Sequence, residues 1–367
     1  MTNDTSPSET VDAAPQWSAD LPTDAGGWLT WDPGGRCLVS SASSTASFRR
    51  DGRLEWLADT EGRALEAPII APGERVIRVE GETIVSRDSR SGSVIHRFSA
   101  PGSSWLALSP WGDPVYREVS ANGHALLRCV TMAGEPRWST PLLRPGLNAP
   151  FALGDLIVVS DNGALNALDQ TGSQRWIAAP DGPNAPAPTV AAPPSDIDPE
   201  TAIIRVDEAS RIGFHLLQKE GRLRPFPSPP SFGTPLAVVP HVDGGFGVVM
   251  VGPRIEVRQM DYRWTIGLLS AEGAEQWRHT LHAKPQTMVG GRDGGVAVAA
   301  SPSRKRWDDY HRWQDLSAQT FVRYLTPAGR ERWTWYAPGP ISHYPLVAPD
   351  GTVFVASEGK LFALPTG

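Results

Sequence analysis

The sequence predicts an all-β fold of repeated four-stranded units, and three observations predict it. A Gly-x-x-x-Trp motif recurs as GRLEW (52–56), GEPRW (134–138), GSQRW (172–176), GAEQW (273–277) and GRERW (329–333). Each copy follows a short run that alternates apolar and polar residues, the two-residue period of a half-buried strand. No stretch of ten residues or more carries the 3.6-residue stripe of an amphipathic helix.

Two further places keep these surroundings and lose the ring. GSVIH (92–96) has His96, and GRLRP (221–225) has Pro225, where tryptophan is due. With Gly367, the repeat glycines stand at 52, 92, 134, 172, 221, 273, 329 and 367. A period near forty falls in the range of propeller blades, solenoids and helical arrays, and the inner period selects the β option. Around the third full motif, APFALG, DLIVVSDNG, ALNALDQTG and SQRWIA read as four antiparallel strands joined by turns. Such sheets cover their faces by packing against one another in a ring, which leaves only short edges. The expected fold class is therefore all-β, an eight-bladed β-propeller of four-stranded antiparallel blades.

The last unit breaks off one strand early. GKLFALPTG (359–367) supplies a third strand, and no tryptophan follows it. At the other end PQWSADLP carries Trp17 on a lone strand ahead of the first full unit, which begins near Gly27. Counting four back from Trp17 gives position 13, 39 before Gly52 and in step with the other spacings. The N-terminal strand is expected to complete the last blade. Residues 1–14 are read as a disordered tail and 15–367 as one propeller domain.

The tryptophans Trp17, Trp56, Trp138, Trp176, Trp277 and Trp333 are assigned to the scaffold. An outer-strand indole can lie across the boundary between blades, burying apolar area while its N–H reaches a backbone acceptor. The glycine four residues before each of the last five supplies the positive φ of a tight turn.

The closest copies, GALNALDQTGSQRW and GKLFALPTG, together with TVFVASEGKLFAL, resemble the PQQ-like β-propeller repeat, whose strands read LYALDxxxGxxxW. The resemblance extends from residue 15 onward. It implies the propeller fold and leaves function open, since some members are quinoprotein dehydrogenases and others bind only proteins. The enzymatic branch holds its quinone with a calcium ion, a stacking tryptophan and a disulfide of adjacent cysteines. Here the two cysteines, Cys37 and Cys129, are far apart and read as buried free thiols. No cofactor and no metal are expected.

The remaining features narrow the function class. A net charge of −6 lacks the basic footprint of a nucleic-acid binder. The start, MTNDTSPSETVDAAP, has neither the basic nor the apolar region of a secretory signal, and no apolar run approaches the roughly 20 residues of a membrane span. A cytoplasmic protein without a membrane partner is expected. HExxH, GxSxG and Walker A sequences are absent. His279 and His282 (HTLH) fall on opposite faces of a strand, and His241 and His343 sit near innermost strands as solvated channel-mouth residues.

Departures from the repeat point to function, because binding residues sit on loops held by a rigid scaffold. The proline-rich segment 179–201 reads as an extended surface loop, a stiff connector or a docking strip. In the seventh unit RKRWDDYHRWQDLSA (304–318) forms a long hairpin that interleaves Arg304, Arg306 and Arg312 with Trp307, Tyr310 and Trp313. In the sixth, RQMDYRWT (258–265) adds Tyr262 and Trp264. Both widenings fall between a blade's second and third strands, on one side of the disc. Aromatic residues with arginine are the composition of interface hot spots. The expected function is a non-enzymatic protein-interaction scaffold using these residues; the alternative is an enzyme or small-molecule binder using the central channel.

Overall fold

The computed structural model describes residues 12–22, 28–62, 64, 66–120, 122–144, 149–179, 188–192, 199–208, 211–226, 234–241, 245–251, 264–281, 283–301, 306–307, 313–314, 319–341 and 344–365. Among them every regular element is a strand. Eight antiparallel four-stranded sheets form, so the fold is the expected eight-bladed β-propeller. The chain divides into two compact units, residues 26–226 and residues 1–25 with 227–367.

The first unit holds blades 1 to 5. Blade 1 is Trp28–Asp32, Arg36–Ser40, Ser44–Arg49 and Leu54–Asp59; blade 2 is Ile69–Ala71, Arg75–Glu80, Thr83–Asp88 and Val94–Ser99. Blade 3 is Ser103–Leu108, Pro114–Val119, Ala125–Val130 and Pro136–Leu142; blade 4 is Phe151–Leu153, Leu156–Asp161, Ala164–Leu168 and Gln174–Ala178. Blade 5 is Thr189–Ala192, Thr201–Glu208, Arg211–Gln218 and Leu223–Pro225. Apolar clusters fill the spaces between consecutive blades. Leu153, Val158 and Leu165 of blade 4 meet Ala202, Ile204 and Leu217 of blade 5, all buried. One expectation fails here. Within the proline-rich segment 179–201, Thr189–Ala192 is the first strand of blade 5 and pairs with Thr201–Glu208. These four residues contain no proline, and a first strand has a neighbour on one side only, so the flanking prolines do not prevent pairing.

The second unit holds blades 6 to 8. Blade 6 is Thr234–Pro240, Phe246–Val251, Trp264–Leu269 and Glu275–Leu281; blade 7 is Lys284–Gly290, Val296–Ser301, Phe321–Leu325 and Glu331–Tyr336. Blade 8 joins Leu346–Val347, Val353–Ser357 and Lys360–Leu364 to the N-terminal strand Trp17–Asp20. Trp17 pairs with Ala363, as Trp176 pairs with Ala167 in blade 4. ALPTG and ALDQTG therefore hold their tryptophans in equivalent register, and the closing strand is placed as its sequence requires. Its ring packs on Phe354 with centroids 5.8 Å apart. Two residues of the segment read as a tail are held against blade 7: the Ala13 amide donates to the Thr334 carbonyl oxygen at 3.0 Å, and Asp12 bridges the same residue. Small apolar Ala13 finds room against the cluster formed by blades 7 and 8.

The repeat glycines have a second task besides turning the chain. A Cβ on Gly92 would lie 2.6 Å from the Trp56 ring, one on Gly172 2.8 Å from Trp138, one on Gly221 2.7 Å from Trp176 and one on Gly329 2.6 Å from Trp277. Each outer-strand indole thus lies flat on the glycine turn of the following blade. The indole N–H of Trp56 donates to the Ser89 carbonyl oxygen (2.9 Å), that of Trp176 to Lys219 (2.7 Å) and that of Trp277 to Pro327 (2.8 Å). Trp138 and Trp333 depart from this pattern, since their buried Nε1 atoms have no acceptor. Trp333 instead stacks on Tyr324 of its own blade, 5.6 Å between centroids. Where His96 replaces tryptophan, the ring comes from the same strand face two residues on: Phe98 covers Gly134, whose Cβ would lie 2.5 Å away.

Gly172→Ala is therefore expected to destabilise the protein by about 2–4 kcal/mol, combining a left-handed backbone (φ +77°) with a methyl forced into the Trp138 ring. In urea titrations the double variant Gly172→Ala/Trp138→Ala should cost less than the sum of the single ones. Strict additivity would show that the ring and the glycine are not coupled.

Candidate functional site

The connections between second and third strands are tight turns in most blades, such as residues 81–82 in blade 2 and 358–359 in blade 8. Blades 6 and 7 differ. Their connections span 252–263 and 302–320, and both leave the same end of their blades, as strand parity requires. Within the longer one Arg306–Trp307 pairs with Trp313–Gln314 in a two-stranded ladder that sets Trp307 opposite Trp313. The segment is thus the hairpin expected from its sequence. Arg304, Tyr310, Arg312 and Tyr262 lie outside the described residues, as do the side chains of Arg306, Trp307 and Trp313. Trp264 opens the third strand of blade 6, half-buried against the cluster that contains Ile266, Leu281 and Met288.

Sequence reasoning missed a second group of aromatic and basic residues, at the starting end of the first strands in blades 1 and 3. Trp28 begins blade 1, and the Arg78 guanidinium lies over its ring, 5.5 Å from the centroid. Arg78 is buried in the second strand of blade 2. Its donors reach the carbonyl oxygens of Ser41, Ser44 and Glu66 and the hydroxyl of Thr45. Burial pushes this guanidinium down to about 10. The Glu66 carboxylate turns the other way and accepts the amides of Trp105 and Leu106, the latter at 2.9 Å.

That carboxylate holds an unusual backbone. Trp105 has φ +58°, a left-handed conformation that costs a bulky residue on the order of 1–3 kcal/mol. The bulge between Ser104 and Ala107 accommodates it. The Arg117 guanidinium lies over the Trp105 ring, 5.7 Å from the centroid, with Nε donating to the Ser104 hydroxyl at 3.2 Å. Desolvation depresses the Arg117 pKa, and the nearby Glu66 opposes it. The available signal was subtraction: Trp28 and Trp105 belong neither to the repeat nor to the widened loops.

His241 is buried, not solvated: its Nε2 lies 2.6 Å from the Gly294 carbonyl oxygen, and its amide donates to Gly245. It fastens the turn of blade 6 to that of blade 7. His279 Nε2 lies 3.1 Å from Arg323 Nη1, whereas His282 and His343 lie outside the described residues. Cys37 and Cys129 are free and buried, and desolvation pushes Cys129 up to about 12. Among the described residues no group of three His, Cys, Asp or Glu could hold a metal ion. No described helix is long and apolar enough to cross a membrane.

Comparison with known proteins bears on this architecture. A family model described as outer membrane protein assembly factor BamB matches residues 10–125 and 117–205. Among solved structures, BamB from Moraxella catarrhalis superposes with a TM-score of 0.61 at 13% identity, covering 96% of this chain and 99% of that one. The Dos1 propeller gives a TM-score of 0.63 at 11% identity, with 97% and 95% covered. At such identities the structural likeness speaks for the fold. No curated protein sequence matches the chain.

Proposed function

Since this chain belongs to the family described as outer membrane protein assembly factor BamB, we propose that it is a non-enzymatic protein-interaction module whose contact surface is the pair of widened loops of blades 6 and 7. The observation that carries this reading is the hairpin in which Trp307 faces Trp313 across a two-stranded ladder, inside a connection that most blades close with a tight turn. A scaffold that needed only closure would have no use for such a hairpin. Arg304, Arg306, Trp307, Tyr310, Arg312 and Trp313 form the main contact, with Tyr262 and Trp264 beside it. Tryptophan and arginine at the centre of an interface each contribute up to several kcal/mol on truncation. The partners are other proteins, and the site of action is cytoplasmic.

The test is the double variant Trp307→Ala/Trp313→Ala, measured by quantitative affinity capture from the native cell and by thermal unfolding. Partner recovery should fall at least about tenfold, with the midpoint moving by less than about 2 °C. A large drop in the midpoint would make these rings core residues. Trp264 is left intact, because it is packed against an apolar cluster. Cell fractionation tests the location, and recovery outside the cytoplasm would reject that part of the reading.

A further inference from the structure

We propose that the contact surface of blade 7 takes a proline-rich segment of its partner in the extended polyproline conformation, and that Tyr336 and Tyr344 belong to that surface. This rests on the interaction reading above and names the ligand. It starts from where open aromatic side chains fall. Among the described residues, Tyr336 and Tyr344 are the most exposed aromatic side chains, at 48% and 67%. Tyr336 ends the fourth strand of blade 7, and Tyr344 stands in the connection to blade 8. Strand parity puts both at the end of blade 7 from which the 302–320 connection leaves. Tyr336 sits opposite Phe321, where that connection re-enters the blade, and its ring meets Phe321 edge-on with centroids 6.3 Å apart. The Tyr336 ring is thus held by a buried neighbour while half of it stays in water.

The placement of charge selects the ligand class. The ladder that sets Trp307 opposite Trp313 also sets Arg306 opposite Gln314, and successive residues of a strand belong to opposite faces. The two tryptophans therefore share one face of the hairpin, and Arg306 belongs to the other. At the base of the connection the Arg323 guanidinium lies over the Phe321 ring, 5.1 Å from the centroid, and its charge is met by Glu331 at 3.0 Å. The aromatic positions thus stand apart from Arg306, and the charge of Arg323 is already answered. Such a surface favours an uncharged ligand with rings of its own. Proline fits on three counts. Its ring packs on aromatic side chains, and a polyproline helix is extended before it binds, so little entropy is lost. Its carbonyl groups make no internal hydrogen bond, so they accept from indole N–H and tyrosine hydroxyl groups.

The probe is a fluorescein-labelled polyproline peptide titrated against the full chain, with a glycine–serine peptide of equal length and oligothymidylate as controls. Saturable binding of the proline peptide alone is expected, nearly unchanged as salt rises, because no ion pair is involved. Tyr336→Leu/Tyr344→Ala should weaken it at least about tenfold, with the midpoint of thermal unfolding moving by less than about 2 °C. No saturable binding by the wild type, equal binding of either control, a steep fall in affinity with salt, or wild-type affinity in the double variant would each overturn the proposal. If the midpoint drops, Tyr344→Ala alone decides, since that side chain is 67% exposed, and unchanged affinity in it would overturn the proposal too. Failure of the ligand is distinguishable from failure of the surface. Loss of partner capture in Trp307→Ala/Trp313→Ala, with no polyproline binding by the wild type, would keep the surface and reject this ligand. Undiminished partner capture in that variant would reject the surface and the ligand with it.

Discussion

Removing residues 12–21 is expected to abolish the cooperative unfolding transition of blades 6 to 8. The deleted segment supplies the fourth strand of blade 8, paired from Trp17 opposite Ala363 to Asp20 opposite Lys360. It is extended at both ends by the Gln16 amide on the Ala363 carbonyl oxygen and the Leu21 amide on that of Gly359, each at 2.8 Å. Its loss would strip one edge of Lys360–Leu364, whose Leu361 and Leu364 have no exposure at present, and uncover Phe354 beneath Trp17. Truncating a fully buried tryptophan costs about 3–5 kcal/mol, so half-buried Trp17 contributes toward the low end of that range, and each backbone hydrogen bond adds about 1 kcal/mol. The sum is comparable with the whole stability of a typical domain, roughly 5–15 kcal/mol.

Relocating the strand should be harmless where deleting it is not. A permuted chain that starts at Gly26 and joins Ala13 directly to Gly367 leaves as many residues between Ala363 and Trp17 as lie between Ala167 and Trp176 in blade 4. Circular dichroism and urea titration should show wild-type-like unfolding for the permuted chain and none for the truncated one. A truncated chain that still unfolds cooperatively would mean that blade 8 is stable with three strands.

Much of this architecture was legible because the constraints are local and repeated. The glycine turn, the indole four residues on and the alternating strands recur often enough that the missing strand after ALPTG, and the spare one around Trp17, declare each other. Single-copy solutions were harder to read. Phe98 replaces the ring lost at His96 from two positions away, and only the pleat shows that the two share a face. Thr189–Ala192 hides among prolines, although four proline-free residues suffice for a first strand. Burial of His241 depends on the Gly294 carbonyl oxygen in the next blade, a contact no local pattern encodes. The site followed the same division. A hairpin in blade 7 was visible as an interruption of the repeat, whereas the patch around Trp105 depends on Glu66 and on a left-handed residue inside a strand.

Arg78→Met is expected to cost about 3–5 kcal/mol, and Arg78→Lys should recover little of it. The side chain is 2% exposed, and its guanidinium gathers the turn of blade 1, through the carbonyl oxygens of Ser41 and Ser44 and the Thr45 hydroxyl, together with the Glu66 carbonyl oxygen of the following linker. Methionine fills much of the volume but takes the guanidinium donors away: the Ser44 carbonyl oxygen keeps the Ser41 amide and the Thr45 hydroxyl keeps that of Ser40, whereas the Ser41 and Glu66 carbonyl oxygens lose this partner, each at about 1–3 kcal/mol. Lysine carries its donors on one atom and cannot reach acceptors spread across a planar fork. The pH dependence separates this role from that of an ion pair. Burial depresses the folded pKa to about 10, well below the ordinary arginine value, so the charged form is penalised in the folded state. That penalty is constant below about pH 10 and is relieved only as pH rises beyond it, where the unfolded chain still holds its proton. The deficit of Arg78→Met should therefore stay flat between about pH 5 and 9, since the acceptors do not titrate. Urea titrations across that range decide the matter. An Arg78→Met deficit below about 1 kcal/mol, one that shrinks in acid, or full recovery by lysine would mean that the blade 1 turn is held by something other than this guanidinium.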